Sequence, residues 1–128
     1  MTKRCEARVM SVMLLLVVLS LGTATQAADF KKGTYSVTGG GAKWSIKFDD
    51  SNKVTVTRDG QVLVEGTYKV TGDAMELTDE KGPMACGGDQ KTGQYKWKLE
   101  EKKLTLTKVA DACEGRANAL TAQAWVPE

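Results

Sequence analysis

From residue 33 onward, apolar side chains fall on every second position through most of the chain, the period of strands with one buried face. A tyrosine-centred phrase carries this pattern three times: Gly33-Thr34-Tyr35-Ser36-Val37, Gly66-Thr67-Tyr68-Lys69-Val70 and Gly93-Gln94-Tyr95-Lys96-Trp97. Between the copies, Lys43 to Phe48 sets Trp44, Ile46 and Phe48 against Lys43, Ser45 and Lys47. Lys53 to Arg58 sets Val54 and Val56 against Thr55 and Thr57. Gln61 to Glu65 is less regular, because Val62, Leu63 and Val64 are all apolar. Gly66 is placed to kink or bulge the chain before a further strand, Thr67 to Val70. Ala74 to Thr78 joins Met75 with Leu77. Gln94 to Glu100 puts Tyr95, Trp97 and Leu99 on one side, and Lys103 to Lys108 alternates Leu104 and Leu106 with threonines.

The punctuation between these runs is that of hairpins. Asp59-Gly60 is a strong two-residue turn signal, and Asp49-Asp50-Ser51-Asn52, Gly72-Asp73 and Glu101-Lys102 are turns by composition and spacing. The longest irregular stretch, Asp79 to Thr92, holds Gly82, Pro83, Gly87, Gly88 and Cys86. Asp111 to Leu120 departs from the strand period. Asp111 is a candidate N-cap, and Ala112, Ala117 and Ala119 favour helix. Thr121 to Val126, with Trp125, returns to strand character, and Pro127 is expected to end it. The pattern predicts an all-β fold: a small antiparallel up-and-down barrel of about eight strands with one short C-terminal helix. Closure removes the exposed edges that an open sheet would leave. The predicted inward set is Tyr35, Val37, Trp44, Ile46, Phe48, Val54, Val56, Val62 or Leu63, Tyr68, Val70, Met75, Leu77, Tyr95, Trp97, Leu99, Leu104 and Leu106.

The first 28 residues follow different rules. Lys3, Arg4 and Arg8 precede an apolar run from Val9 to Leu21, and small residues follow through Ala28. This is the layout of a secretory signal peptide. The run, about 13 residues, is shorter than the ~20 of a spanning helix, which disfavours the alternative of an uncleaved anchor. Cleavage after Ala27, or after Ala28, divides the chain into a signal peptide at 1–27 and a barrel domain at 29–128. Removing Lys3, Arg4, Arg8 and Glu6 from 18 basic and 16 acidic residues leaves fifteen of each. The basic character therefore belongs to the leader, and the balanced remainder gives no footprint for nucleic acid or for a charged membrane surface. No membrane span is expected after cleavage. The expected destination is the periplasm or the extracellular space.

Cys5 leaves with the leader, so the domain keeps Cys86 and Cys113. In an oxidising compartment such a pair forms one disulfide, the alternative being two free thiols. Closing that loop stabilises a small domain by roughly 3.5 kcal/mol on the chain-entropy account.

The stretch from Gly66 onward resembles small exported bacterial domains with a lipocalin-like, calycin-type barrel. The resembling pieces are Gly66 to Asp73, Gly82-Pro83-Met84-Ala85-Cys86, Gly93 to Trp97, Leu104-Thr105-Leu106 and Asp111-Ala112-Cys113-Glu114-Gly115-Arg116, with Leu120 and Trp125 after them. The resemblance implies a barrel, export and the binding of a small apolar molecule, and no catalytic activity. The chain is shorter than the larger lipocalins and has Tyr35 where their first strand carries a Gly-x-Trp phrase. Met84-Ala85-Cys86 also resembles small exported domains of the META type, a competing fold.

Candidate chemistry is sparse. The chain has no histidine, which removes the commonest general base and metal ligand and the standard nucleophilic triads. The domain's serines, Ser36, Ser45 and Ser51, fall on outward strand positions or in a turn. Asp49, Asp50 and Asn52 share a turn that has the composition for a hard cation but lacks the glycine and distal glutamate of a calcium loop. The favoured reading is an Asx-type turn joining two strands. No catalytic residue, metal site or cofactor is assigned. Tyr35, Trp44, Tyr68, Tyr95 and Trp97 project to one side, either as the wall of a ligand pocket or as the filling of a small barrel. The domain's two arginines, Arg58 and Arg116, are candidate anchors for a ligand's acid group. Arg116 alternatively pairs with Asp111, with a backbone carbonyl or with Trp125, and Arg58 alternatively bends outward at its turn. The expected function is thus a non-enzymatic exported domain that binds a small hydrophobic or amphipathic molecule. The alternative is a structural or protein-interaction module of the cell envelope with a filled core. No feature of the sequence names a protein partner.

Overall fold

A computed structural model describes residues 29–128, so the expected leader lies outside the described residues. The strands are β1 (Gly33–Gly39), β2 (Ala42–Phe48), β3 (Lys53–Arg58), β4 (Gln61–Thr71), β5 (Ala74–Lys81), β6 (Thr92–Glu100), β7 (Lys103–Ala110) and β8 (Val126–Pro127). The helix α1 (Glu114–Thr121) lies between β7 and β8. All eight strands form one antiparallel sheet in the order β7-β6-β5-β4-β3-β2-β1-β8. Each strand from β1 to β6 pairs with the next, as an up-and-down barrel requires.

The seam between β7 and β1 is filled by the segment around β8. Trp125 exchanges both backbone hydrogen bonds with Leu104 of β7, at 2.7 and 2.8 Å. The next residues cross to β1, where Val126 and Pro127 pair with Ser36 and Tyr35, and the Glu128 N–H donates to the Thr34 carbonyl at 2.9 Å. Glu128 is held outside the barrel by Lys43 Nζ at 3.0 Å and the Ser45 hydroxyl at 3.1 Å. A few residues thus give both outer strands a partner and nearly close the barrel.

Several boundaries differ from the sequence reading. The two strands expected on either side of Gly66 are one strand, β4, and the register shifts between Glu65 and Gly66. A side chain at Gly66 would overlap the Thr78 carbonyl of β5, so glycine lets the two strands approach there. Leu63, not Val62, is the inward member of its pair: Leu63 is buried in a bulge opposite Val56 and Thr57, and Val62 is exposed. β5 continues through Asp79 to Lys81, past the expected start of the long loop. α1 begins at Glu114, with Cys113 rather than Asp111 as its N-cap residue, and runs through Thr121. Pro127 lies within β8 rather than beyond it, in a two-residue strand where the missing N–H is tolerated.

One end of the barrel is packed with aromatic rings. Phe30, from the lead-in to β1, sits edge-on to Phe48 at 4.9 Å and to Trp97 at 5.3 Å between ring centroids. Phe48 in turn stands edge-on to Tyr68 at 4.9 Å and to Tyr35 at 6.1 Å. Edge-to-face pairs of this kind stabilise beyond their buried area. The polar atoms of the cluster are tied to nearby backbone. Tyr35 Oη donates to the Lys31 carbonyl at 2.6 Å, Tyr68 Oη to the Asp49 carbonyl at 2.7 Å, and Trp97 Nε1 to the Gly72 carbonyl at 2.9 Å. Burial pushes the phenols of Tyr35 and Tyr68 up, and at Tyr68 the charges of Asp49 and Asp50 add to it. Asp49 closes the neighbouring turn: its Oδ1 accepts from the Lys53 and Ser51 N–H groups at 2.9 and 2.8 Å. These bonds, that from Lys53 first, hold its carboxyl below the usual range. Among the described residues no group of three or more acidic or sulfur ligands is disposed to hold a metal ion.

Candidate functional site

The opposite end carries the Asp59-Gly60 turn, the long loop after β5 and the helix. Asp59 and Gly60 both have positive φ, 49° and 85°, as the tight hairpin requires. Cys86, in the loop, is bonded to Cys113, the residue before α1, with Cα atoms 6.3 Å apart. The expected disulfide therefore forms, and it ties the loop to the start of the helix. α1 turns Ala117 and Leu120 into the core, and Trp125 packs beneath with its Nε1 donating to the Leu120 carbonyl at 3.1 Å.

Beside the disulfide lies a buried polar cluster centred on Arg116, whose side chain is only 8% exposed. Its Nε donates to Asp111 Oδ2 at 2.7 Å, and its Nη2 donates to Asp111 Oδ1 at 2.6 Å and to the Gln90 carbonyl at 2.9 Å. Its Nη1 donates to the Lys91 carbonyl at 2.9 Å and faces Asp79 Oδ2 at 3.2 Å. Four of the five guanidinium N–H groups make hydrogen bonds, and Nη1 adds the ion pair with Asp79. Asp111 also accepts from the Tyr95 hydroxyl and from the Cys113 N–H, the latter at 2.9 Å. Asp79 Oδ2 accepts from the Cys86 N–H at 2.8 Å. A side chain at Gly93 would overlap the Asp111 carboxylate and crowd Arg116, so glycine at that place in β6 makes room for the cluster.

The shared bonds set the charge states. Burial by itself pushes the Asp111 carboxyl up, but the hydrogen bonds from Arg116, Tyr95 and Cys113 outweigh it and hold the group below the usual carboxylate range. Burial pushes the Arg116 guanidinium down, and the two aspartates more than reverse this. Burial first, then the bond to Asp111, drives the Tyr95 phenol far up. The cluster is a fixed set of charges that satisfy one another.

Above it, between α1, the loop and the barrel wall, lies a cavity of about 170 Å³. Trp44 and Ile46 of β2, Val54 and Val56 of β3, Leu63 and Val64 of β4, and Leu77 and Asp79 of β5 form the barrel side. Met84, Cys86, Cys113, Gly115, Arg116, Ala119, Leu120 and Trp125 form the other. The lining is almost wholly apolar, and the cavity opens to solvent where Met84, Gly115 and Ala119 are exposed.

The structure does not bring all the sequence-predicted residues to this cavity. Trp44 and Arg116 line it. Tyr35, Tyr68 and Trp97 belong to the aromatic end, and the Tyr95 hydroxyl serves Asp111. Arg116 holds Asp111 and backbone carbonyls, the alternative foreseen for it. Arg58 is exposed, with its guanidinium carbon 5.6 Å from the centre of the Trp44 ring. The sequence reading missed Asp79, Met84, Leu120 and Trp125 as wall residues. Asp79 had a usable signal, since it shares parity with Met75 and Leu77. Compared with protein-family models, curated proteins and solved structures, the chain gives no match.

Proposed function

We propose that this domain is a small, non-catalytic, lipocalin-like binding module of an exported protein, and that it takes an apolar group no larger than one ring or a chain of about six carbons. The cavity carries the reading: about 170 Å³, apolar, open on one side and walled by side chains held in place by a disulfide and a helix. A cavity of about 150 Å³ with apolar walls is known to hold a benzene-sized guest. At about 0.8 kcal/mol per buried methylene, six carbons contribute ~5 kcal/mol, which sets dissociation constants near 0.1–1 mM. The disulfide fits an oxidising compartment, which supports export. No helix among the described residues is long and apolar enough to cross a membrane. A non-catalytic role accords with a chain that has no histidine and with an Arg116 guanidinium already paired with Asp79 and Asp111.

The test is titration of the disulfide-intact domain with 1-hexanol and toluene, followed by tryptophan fluorescence and backbone amide shifts. Saturable shifts are expected at Val56, Ala119 and Leu120, and Ala119→Phe, which places a ring in the cavity, is expected to remove them. Absence of saturable change at these positions up to about ten millimolar, well above the affinity range expected from the buried area, sinks the reading. The aromatic packing of the far end and the exposure of Val62 and Met84 favour a structural or protein-interaction module in that event.

A further inference from the structure

The cavity accounts for the apolar part of a ligand, and the question left is what lies at the barrel rim beside it. Arg58 and Trp44 are direct cross-strand partners on β3 and β2. Arg58 also follows Val54 and Val56 on the inward-facing side of β3. Two residues of strand advance about 7 Å, so Arg58 lies outside the lining, one step beyond the Val56 wall toward the rim. Its guanidinium lies over the Trp44 ring, which is itself part of the lining. Stacking of this kind orients the cation and leaves its edge N–H groups for other partners.

The surrounding charges are already engaged elsewhere. Glu128 is held by Lys43 and Ser45, which lie on the outward face of β2. Asp59 Oδ1 accepts the Lys43 N–H at 2.9 Å. Arg58 itself has no carboxylate within ion-pair distance among the described residues, in contrast to Arg116, which is paired with both Asp79 and Asp111.

We propose that Arg58, carried on Trp44, reads an anionic head group, so that the ligand is a small amphipathic anion: a carboxylate on a body of one ring or about six carbons. The inference rests on the cavity reading above and adds the sign of the head group. An exposed cation contributes modestly, so the expected preference for the anion is about three- to five-fold in dilute buffer, shrinking as salt screens it.

Matched pairs of probes separate the two claims: hexanoate against 1-hexanol, and benzoate against toluene, each titrated into the disulfide-intact domain and followed by amide shifts at Val56 and Ala119. Hexanoate and benzoate are expected to bind about three- to five-fold tighter than their neutral partners at ~20 mM salt and less so at ~0.5 M. Arg58→Gln is expected to erase the difference between each anion and its neutral partner, and Arg58→Lys to keep part of it. Equal binding of hexanoate and hexanol to the unaltered protein, or a preference that survives Arg58→Gln, overturns the anion reading and leaves the cavity reading intact. Failure of all four probes overturns both.

Discussion

The two ends of this barrel are stabilised by different chemistry. At one, Phe30, Phe48, Tyr35, Tyr68 and Trp97 fill the space, and their polar atoms return to nearby backbone. At the other, a disulfide, a short helix and a guanidinium between two carboxylates hold the walls, and space remains. The difference is one of what the connections can reach. The aromatic end is closed by tight turns between neighbouring strands and by one lead-in residue. The helix end also has tight hairpin turns, but its other connections are long; they need cross-links to stay in place, and they leave an opening between them.

The comparison breaks most readily at Arg116. Arg116→Met leaves Asp79 and Asp111 buried without their cation and is expected to cost about 3–5 kcal/mol in urea denaturation at neutral pH. The pH dependence has a definite sign. Asp111 is held below its unfolded value, so its contribution is complete above the ordinary carboxylate range near 4 and is lost as pH falls through the lowered folded value. The urea midpoint of the unaltered protein should therefore decline only in that acid range. Next in size is the disulfide. Replacing both Cys86 and Cys113 by alanine is expected to cost about 3.5 kcal/mol. Hydrogen exchange should quicken in α1 and in 82–91, while amides around Phe48 and Tyr68 keep most of their relative protection. Equal loss at both ends would show that the helix end is not a separable unit.

At the aromatic end, Phe30→Ala is expected to cost about 1.5–3 kcal/mol, because Phe30 is only half-buried, and to weaken the near-ultraviolet dichroism of the cluster. Affinity for 1-hexanol at the other end should not change. The smallest effect is a gain. Glu101 and Lys102 turn the chain between β6 and β7 with positive φ, 51° and 71°, which side chains disfavour. Lys102→Gly is expected to stabilise by about 0.5–1 kcal/mol, read as a raised melting midpoint.

The strands and hairpins were legible because alternation and turn composition are local signals. Lys43 to Phe48 and the Asp59-Gly60 turn appear in the structure as the pattern predicts. The fold class follows from these and from the number of strands. The bulge in β4 was legible at Gly66, but the continuity of the strand through it was not, since that depends on how closely β5 approaches. The long irregular stretch is expected to start at Asp79, yet Asp79 continues the inward face of β5, where Arg116 and the Cys86 N–H offset the cost of burying it. Phe30 gave no periodic signal at all, because it lies outside any strand and matters through contacts distant in sequence. The candidate site was half legible. Trp44, Arg58, Arg116 and the two cysteines were singled out, but which rings fill and which rings line was decided by tertiary placement.

The Trp125 stave has a kinetic corollary. It pairs with Leu104 on one flank and hands the chain to Ser36 on the other, so its register links remote parts of the domain. Such non-local pairing is slow relative to hairpin formation. Until residues 125–128 are placed, β1 and β7 each keep a bare margin, and the sheet remains an open ribbon rather than a barrel.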